Sequence, residues 1–194
     1  MTARIPYIGR FAPSPTGPLH IGSLVAAMAS YLDAKAHQGQ WLVRIEDVDV
    51  GRNVAGADEH ILASLQRCGM HWDGDVTWQT QRYPLYQQAL EQLGDLVYPC
   101  GCSRREIADS QLNLTGQQAQ ALIYPGICRD GLAPGKVGRA LRLKVPQTPH
   151  CVLSFEDRWA GHYSQDLTAD VGDFVLHRAD GYWAYQLEIG RAHV

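Results

Sequence analysis

Hydrophobic and polar positions in the first half of the chain follow two alternating patterns. Short apolar runs predict buried strands, and each is followed by a segment with apolar residues at helical spacing. The predicted strands are 5–11 and 41–45, and the predicted helices are about 22–39, 57–68 and 83–96. This order favours a parallel sheet with right-handed crossovers, so we expect an α/β fold. The apolar positions of the first two helices are Leu24, Val25, Met28 and Leu32, and then Ile61, Leu62 and Leu65.

The character of the sequence changes near Tyr98. Residues 98–149 are rich in cysteine, glycine and proline and hold seven basic against three acidic side chains, although the whole chain carries a net charge of −3. This segregation predicts a small basic module, 98–149, inserted between a first part of the main domain, 1–97, and a return to it, 150–187. In the return we expect strands at 151–155 and 173–177. A hairpin turn at Asp180-Gly181 is expected to lead into a third strand, 182–187.

Three further features of the sequence bear on the location of the protein, the role of its cysteines and its C-terminal end. The start has no basic and apolar leader, and no apolar run approaches the ~18 residues of a membrane span, so we expect a cytoplasmic protein with no membrane partner. An odd number of cysteines, five, favours metal binding over disulfides. Residues 188–194 resemble a translated sequencing adapter, which predicts a non-native tail and a natural protein longer than 194 residues.

A first candidate site runs from Arg10 to Gly22. It places a cation at the end of a strand, then a loop with three prolines, and then His20 where a helix begins. A helix start offers free N–H groups to a phosphate, and a histidine there can donate to charge developing on it. Gly22 leaves space for a nucleotide near the backbone. The usual phosphate-loop and G-x-G-x-x-G motifs do not occur.

An acidic stretch and a cysteine cluster are further candidates. Residues 44–49, Arg-Ile-Glu-Asp-Val-Asp, form either a solvated turn or a ligand site, since clustered carboxylates need partners. Asp47 and Asp49 are more readily explained as hydrogen-bonding partners than as catalytic acids. Cysteine thiolates at this spacing predict a structural zinc site, with Cys68 in the core instead. The zinc thiolates are Cys100, Cys102 and Cys128, and the candidates for the fourth ligand are Tyr124, His150 and Cys151.

In combination these motifs resemble the class I aminoacyl-tRNA synthetases of glutamyl type. Residues 10–22 resemble their His-Ile-Gly-His-type signature, with Ser23 in the fourth position, and residues 44–49 resemble their Arg-Ile-Glu-Asp-x-Asp stretch. The Cys-x-Cys…Tyr-x-x-x-Cys arrangement and the Trp-Ala-Tyr-Gln of 183–186 are similar to the glutamyl-queuosine branch. The resemblance implies a Rossmann-like nucleotide-binding fold with an inserted zinc module, and Tyr124 as the fourth ligand.

The resemblance also implies a set of site residues. The expected L-glutamate contacts are Arg10, Phe11, Ala12, Pro13, Ser14, Glu46 and Tyr185. The expected ATP contacts are Pro18, Leu19, His20, Ile21 and Gly22, with His20 and Gly22 in the catalytic role. The expected ligands of one structural Zn²⁺ are Cys100, Cys102, Tyr124 and Cys128.

The implied activity is the ATP- and Mg²⁺-dependent conversion of L-glutamate to glutamyl-adenylate, followed by transfer of glutamate to the queuosine base in the anticodon of tRNA(Asp). The basic residues of 98–149 are then expected to contact tRNA phosphates. We expect a monomer. The family's lysine-rich loop and a second substrate-binding arginine do not occur before residue 187, so this chain alone is expected to activate glutamate weakly or not at all. The alternatives are a catalytic fragment of an ordinary glutamyl-tRNA synthetase and a non-catalytic, zinc-containing RNA-binding module.

Overall fold

A computed structural model of the chain describes residues 7–115, 123–147 and 151–191. The chain divides into two compact units, residues 1–84 and 85–194, and each is described by itself. Within the described ranges, no helix has the length and apolar character needed to cross a membrane.

The first unit is built on a three-stranded parallel sheet. Its elements are β1 (Ile8–Phe11), α1 (Ile21–Ala36), β2 (Gln40–Ile45), α2 (Ala57–Arg67) and β3 (Thr77–Trp78). The strand order is β1-β2-β3, and both pairs are parallel, with Phe11 opposite Val43 and Arg44 opposite Thr77. The predicted parallel sheet and the two predicted helices between its strands are therefore confirmed.

The apolar core of this unit lies between the sheet and its helices. Trp41, Val43 and Ile45 of β2 are almost fully buried, together with Ile61 and Leu65 of α2. These two α2 residues are one turn apart, so the predicted amphipathic face of α2 does pack inward. The last residue of the predicted helix, Cys68, is instead exposed at the end of α2, so its assignment to the core was wrong.

Helix α1 differs from the pattern of its apolar residues. Val25 and Leu32 are 62% and 57% exposed, and the fully buried positions are Ala27 and Ala34. The cause is a close approach of the helix to β1, because a Cβ atom built on Gly9 would lie 3.0 Å from Cβ of Ala34. Small residues therefore form this contact and Val25 and Leu32 face outward, whereas Leu24 and Met28 are half-buried against the core, as predicted.

Among the residues that the structure describes, the second unit contains antiparallel strands and three α-helices. Its elements after α3 (Tyr83–Leu93), which begins just before the boundary, are β4 (Val97–Cys100), α4 (Arg104–Thr115), β5 (Ala140–Leu143), β6 (Val152–Asp157), β7 (Gly161–Asp166), β8 (Val175–His177) and α5 (Tyr185–Arg191). One sheet has the order β4-β5-β8, and β6 and β7 form a separate hairpin. The predicted insertion, 98–149, and the predicted return, 150–187, both belong to this unit.

The strand predicted at 182–187 is wrong. The predicted turn is present, with the Gly181 N–H donating to the carbonyl of Arg178 and Gly181 in a left-handed conformation at φ +88°. The chain then pairs with β8 only at Trp183, opposite His177, before α5 begins. The buried residues there have helical rather than alternating spacing, namely Ala184, Leu187 and Glu188.

Candidate active site and metal centre

The loop after β1 is fastened to the end of β2. The N–H of Glu46 donates to the carbonyl of Pro13 at 2.9 Å, and the N–H of Val54 donates to that of Pro15 at 2.9 Å. These bonds fix a loop whose prolines already restrict its backbone. A pocket of about 360 Å³ lies along it, within the usual size range of ligand sites. Seven of the predicted ligand residues line this pocket: Phe11, Ala12, Pro13, Ser14, Pro18, Leu19 and His20.

His20 caps the start of α1 with its own ring. Its Nδ1 accepts from the Ser23 N–H at 3.2 Å, and its Nε2 lies 3.0 Å from Oγ of Ser23. Because an accepting Nδ1 carries no proton, the neutral ring has its proton on Nε2, where it donates to the Ser23 hydroxyl. A Cβ atom on Gly22 would meet the ring at 3.1 Å. In this structure the absence of a side chain at Gly22 therefore makes room for the His20 ring.

Glu46 is a buried carboxylate with two partners that sequence reasoning missed. Nε of Arg44 donates to its Oε1 at 2.7 Å, and Nε2 of Gln79 lies 3.3 and 3.2 Å from its two oxygens. Glu46 and Arg44 are both under 10% exposed, and Gln79 is fully buried. The parallel register of β2 and β3 brings residues 46 and 79 side by side, a relation that the sequence pattern does not reveal.

The neighbouring carboxylates have structural partners, as predicted. Asp47 accepts from both the N–H and the hydroxyl of Thr80, which fixes the turn that carries Gln79. Asp49 accepts from Nε of Arg52 at 2.7 Å. These bonds explain how adjacent acidic residues are accommodated at the end of β2.

Arg10 lies in a cationic environment beside Glu46. Burial lowers the pKa of its guanidinium, the charges of Arg44 and Arg82 lower it further, and the charge of Glu46 opposes them. Arg10 thus interacts electrostatically with Glu46 and with two further arginines, Arg44 and Arg82. Such a site suits a ligand that carries an ammonium group for Glu46 and carboxylates for the arginines. Arg82 is a third residue that sequence reasoning missed.

The other predicted residues of this site lie outside the pocket lining. Ile21 is 77% exposed at the first position of α1. Tyr185 belongs to the second unit, where it is the first residue of α5 and is 63% exposed. Its contact with glutamate stays a prediction.

In the second unit, three cysteines and a tyrosine converge between β4 and the segment that follows α4. The Sγ atoms of Cys100, Cys102 and Cys128 all lie within 4.8 Å of one another. The hydroxyl of Tyr124 is 3.4 Å from Sγ of Cys100 and 3.7 Å from Sγ of Cys102. It also accepts from the N–H of Cys128 at 2.8 Å. Tyr124 and the cysteines thus form one four-member donor set.

This donor set fits a tetrahedral zinc ion. At the tetrahedral angle, Zn–S bonds of about 2.3 Å and a Zn–O bond of about 2.0 Å require S···S and S···O separations of about 3.8 and 3.5 Å. The Sγ atoms of Cys102 and Cys128 are 3.5 Å apart, close to the required S···S separation. The distances of 3.4 and 3.7 Å from the Tyr124 hydroxyl to the Sγ atoms of Cys100 and Cys102 lie on either side of the required S···O separation. Of the alternative fourth ligands, Cys151 does not join the cluster, and His150 lies outside the described residues.

The surroundings of the cluster differ between its members. Burial opposes ionisation of Cys100, but hydrogen bonds from Tyr124, from the Cys102 backbone and from Arg142 outweigh it and lower its pKa. Burial raises the pKa of Cys102 to about 11. Burial and the contact with Cys100 raise the pKa of the Tyr124 hydroxyl.

Comparison with known proteins adds a family and several relatives. The sequence profile of the tRNA synthetases class I (E and Q), catalytic domain, matches residues 8–189. Two relatives are 60% and 62% identical to this chain over 185 residues. They are proteins named glutamyl-Q tRNA(Asp) synthetase from Verminephrobacter eiseniae and a Janthinobacterium species. These alignments cover 94% of this chain but 63% and 62% of the two relatives, so the chain spans less than two thirds of their length.

A solved structure is similar to nearly the whole chain. The glutamate-tRNA synthetase of Elizabethkingia anophelis superposes with a TM-score of 0.78 at 27% sequence identity. The match covers 97% of this chain and 42% of that one. A glutamate tRNA ligase from Elizabethkingia meningosepticum, solved in complex with its amino acid, matches with a TM-score of 0.77 at 28% identity.

Proposed function

The chain belongs to the class I tRNA synthetases (E and Q) through their catalytic domain, and from this premise we propose that it is the glutamate-activating part of a glutamyl-queuosine tRNA(Asp) synthetase. The complete protein forms glutamyl-adenylate from L-glutamate and ATP with Mg²⁺. It then transfers glutamate to the queuosine base in the anticodon of tRNA(Asp). Relatives that are 55–62% identical to this chain over the aligned 185 residues carry this name, which favours the tRNA-modifying branch.

The observation that carries the proposal is the arrangement of charge around Glu46. Its carboxylate is buried, paired with Arg44 and hydrogen-bonded to Gln79, directly beneath the loop that Pro13 anchors. Glutamate has one ammonium group and two carboxylates. An anion fixed by Arg44, with Arg10 and Arg82 in the same electrostatic environment, matches this ligand better than it matches a neutral or a basic amino acid.

Catalysis in the proposed reaction rests on positioning and electrostatics. The glutamate carboxylate attacks the α-phosphate of ATP, and pyrophosphate leaves. His20 holds its donor proton on Nε2 at the start of α1, where helix N–H groups also favour negative charge. Once His20 releases the Ser23 hydroxyl, this proton is available to the phosphate. Preorganised donors of this kind are a large part of transition-state stabilisation.

We further propose that Cys100, Cys102, Tyr124 and Cys128 hold one structural Zn²⁺. The cluster joins β4 to the segment 123–128, and its members are the main buried side chains of the small core around it. A bound ion cross-links these segments. The basic side chains of 98–147 then serve as phosphate contacts for the tRNA, which position the RNA but do not specify it.

An ordinary glutamyl-tRNA synthetase is the second candidate, favoured by the solved structures at 27% and 28% identity. Glutamate-dependent ATP–pyrophosphate exchange by the complete reading frame, measured without tRNA, separates the two. We expect exchange without tRNA. Exchange only after addition of tRNA(Glu) would identify the second candidate instead. The 194-residue chain alone is expected to show little exchange, and robust exchange by it would contradict that expectation.

Two variants of the complete protein test the role of Glu46. Glu46→Gln keeps the size of the side chain and removes its charge, so we expect KM for glutamate to rise strongly while KM for ATP changes little. Glu59→Gln, an exposed position of α2, is the matched control and should behave as the wild type. Equal glutamate KM values for Glu46→Gln and the wild type would remove Glu46 from the site.

A further inference from the structure

The guanidinium of Arg142 is buried beside the cysteine cluster. Arg142 lies on β5, opposite Tyr98 of β4, and is 8% exposed. Its Cζ atom stands 3.8 Å from the centre of the Tyr124 ring, and its Nη1 donates to the backbone carbonyl of Asp173 at 2.7 Å. It also interacts electrostatically with Cys100, whose pKa it lowers. One guanidinium thus stacks on one member of the donor set and acts on the charge of a second.

Arg142 has no carboxylate partner among the residues that the structure describes. Asp173 accepts from Arg142 through its backbone carbonyl, but its carboxylate is already occupied. The carboxylate oxygens accept from Arg129 at 2.6 Å, from the Tyr98 hydroxyl at 2.6 Å and from the Val145 N–H at 2.8 Å. Arg142 reaches only the backbone of that residue. A buried cation without a counter-charge is strongly unfavourable, so the fold needs an anion near Arg142.

The donor set supplies that anion when a divalent ion is bound. Three thiolates around Zn²⁺ leave one net negative charge, and ionisation of the tyrosine would add a second. This charge is buried with the cluster, since Cys100, Cys128 and Tyr124 are each under 5% exposed. The guanidinium and the loaded centre therefore neutralise each other.

We infer that Arg142 is the charge-balancing and positioning residue of the metal centre, which it stabilises by facing Cys100 and by stacking on the ring of Tyr124. The inference rests on the proposed zinc site. It assigns a role to a residue outside the Cys-x-Cys…Tyr-x-x-x-Cys arrangement. Partners that surround the ligands of a metal typically change its affinity about 10–100-fold when they are replaced.

Metal affinity of the 194-residue chain tests the inference without any assay of catalysis. Zn²⁺ is titrated in competition with a chromophoric chelator for the wild type, Arg142→Met and Arg142→Lys. We expect Arg142→Met to weaken zinc binding at least about tenfold and Arg142→Lys, which keeps the charge but not the planar stack, to weaken it less. Arg139→Met removes an exposed arginine three residues away and should leave the affinity within about twofold.

Substitution of Co²⁺ gives a second readout that does not depend on affinity. The wild type should give the absorption of a tetrahedral thiolate complex. If Arg142 orients Tyr124, Arg142→Met should alter this spectrum, because the oxygen ligand is no longer held by the stacked guanidinium. An unchanged spectrum together with unchanged affinity would overturn the inference.

A double-mutant comparison separates charge balance from simple support of the fold. Cys102→His replaces a thiolate by a neutral ligand at the least buried cysteine of the cluster, which removes one negative charge from the centre. If charge balance is the cause, Arg142→Met should cost less affinity in the Cys102→His background than in the wild type. An equal loss in both backgrounds would show that Arg142 supports only the fold.

The outcomes also separate the inference from the proposed function. A wild-type chain that binds neither Zn²⁺ nor Co²⁺ would overturn the metal centre itself. A wild type that binds zinc no more tightly than Arg142→Met and gives the same Co²⁺ spectrum would leave the metal centre intact and overturn only the role of Arg142. If Arg142→Met does not fold, the inference is decided by Arg142→Lys. A lower zinc affinity and an altered Co²⁺ spectrum for Arg142→Lys, each compared with the wild type, would support it, and equal values would overturn it.

Discussion

The sheet core of the first unit and the cysteine cluster of the second unit bury different kinds of side chain. The first unit has a conventional apolar core, in which Trp41, Ile61 and Leu65 are fully buried. The cysteine cluster of the second unit forms a small core of its own, which consists of Tyr98, Cys100, Ile107, Tyr124 and Cys128, with Ile107 as the aliphatic member. Beside it lies a polar network around the buried Asp173.

This difference implies two sources of stability. Burial of apolar surface stabilises the first unit in proportion to area and without directional contacts. Around the cysteine cluster and Asp173 of the second unit, most of the buried groups described above are donors or acceptors, so their contribution depends on every partner being present. Replacements should therefore have graded effects in the first unit and steep effects around the cluster and Asp173.

Removal of metal should produce the largest difference between the units. We expect the proposed zinc site to contribute on the order of 10 kcal/mol of binding energy, part of which stabilises the second unit. A strong chelator should then increase hydrogen exchange in β4 and β5 of the purified chain and leave β2 protected. Equal loss of protection in β2 and β4 would contradict the distinction between the two units. The control is the chelated sample after excess Zn²⁺ has been added back.

Asp173→Asn should be the most damaging single replacement outside the cluster. The amide keeps the shape but removes the charge that Arg129 faces at 2.6 Å, so a partly buried cation loses its counter-charge. Breaking such a pair costs about 3–5 kcal/mol. The loss in free energy of unfolding is measured by urea unfolding, monitored by hydrogen exchange in β5 and β8. Asp130→Asn, at an exposed position of the same unit, should change the free energy of unfolding by less than about 0.5 kcal/mol.

A core replacement in the first unit should have a smaller and strictly local effect. Leu65→Ala removes apolar volume from a fully buried position of α2, which typically costs about 2–5 kcal/mol. The matched control is Val25→Ala on the exposed side of α1, expected within about 0.5 kcal/mol of the wild type. Exchange rates in β2 should rise for Leu65→Ala while those of β4 stay unchanged. A large effect of Val25→Ala would mean that the outward face of α1 is packed.

Prediction from sequence succeeded where side-chain periodicity and packing agree. The apolar face of α2 and the buried run of β2 specify the parallel sheet, and both were found in place. Periodicity failed for two of the four predicted positions of α1, Val25 and Leu32, because the contact with β1 is made by Gly9 and Ala34 rather than by large residues. It failed again at Tyr182–Leu187, where three aromatics at strand-like spacing lead into α5.

The candidate sites show the same limit. Sequence spacing brought out the loop of 10–22 and the cysteine cluster, because these residues are near one another along the chain. Gln79 and Arg142 could not be found in this way. Each reaches its partner through the register of neighbouring strands, β2 with β3 and β4 with β5, which is a property of the fold.

The smallest expected effect concerns the start of α4, just after the cysteine pair. Ser103 and Glu106 form a capping box, in which the Ser103 N–H donates to Oε2 of Glu106 at 2.8 Å and the Glu106 N–H donates to Oγ of Ser103 at 3.2 Å. Ser103→Ala should lower the free energy of unfolding by about 1 kcal/mol.

The pH dependence of this cap distinguishes it from an uncharged contact. The ammonium of Lys136 and the two Ser103 donors lower the pKa of Glu106 to about 2 from its ordinary value of 4.5. A depressed folded-state pKa gives stability that is fully present above pH 4.5 and is lost as the pH falls toward about 2. The free energies of unfolding of the wild type and Glu106→Gln should therefore converge as the pH falls across that window. In the Ser103→Ala background, the difference between Glu106 and its Gln replacement should be smaller at neutral pH, because Glu106 has lost a donor. A constant difference between wild type and Glu106→Gln from pH 6 to pH 2 would show that the charge of Glu106 does not stabilise α4, and the second unit would then depend on fewer directional contacts than its network indicates.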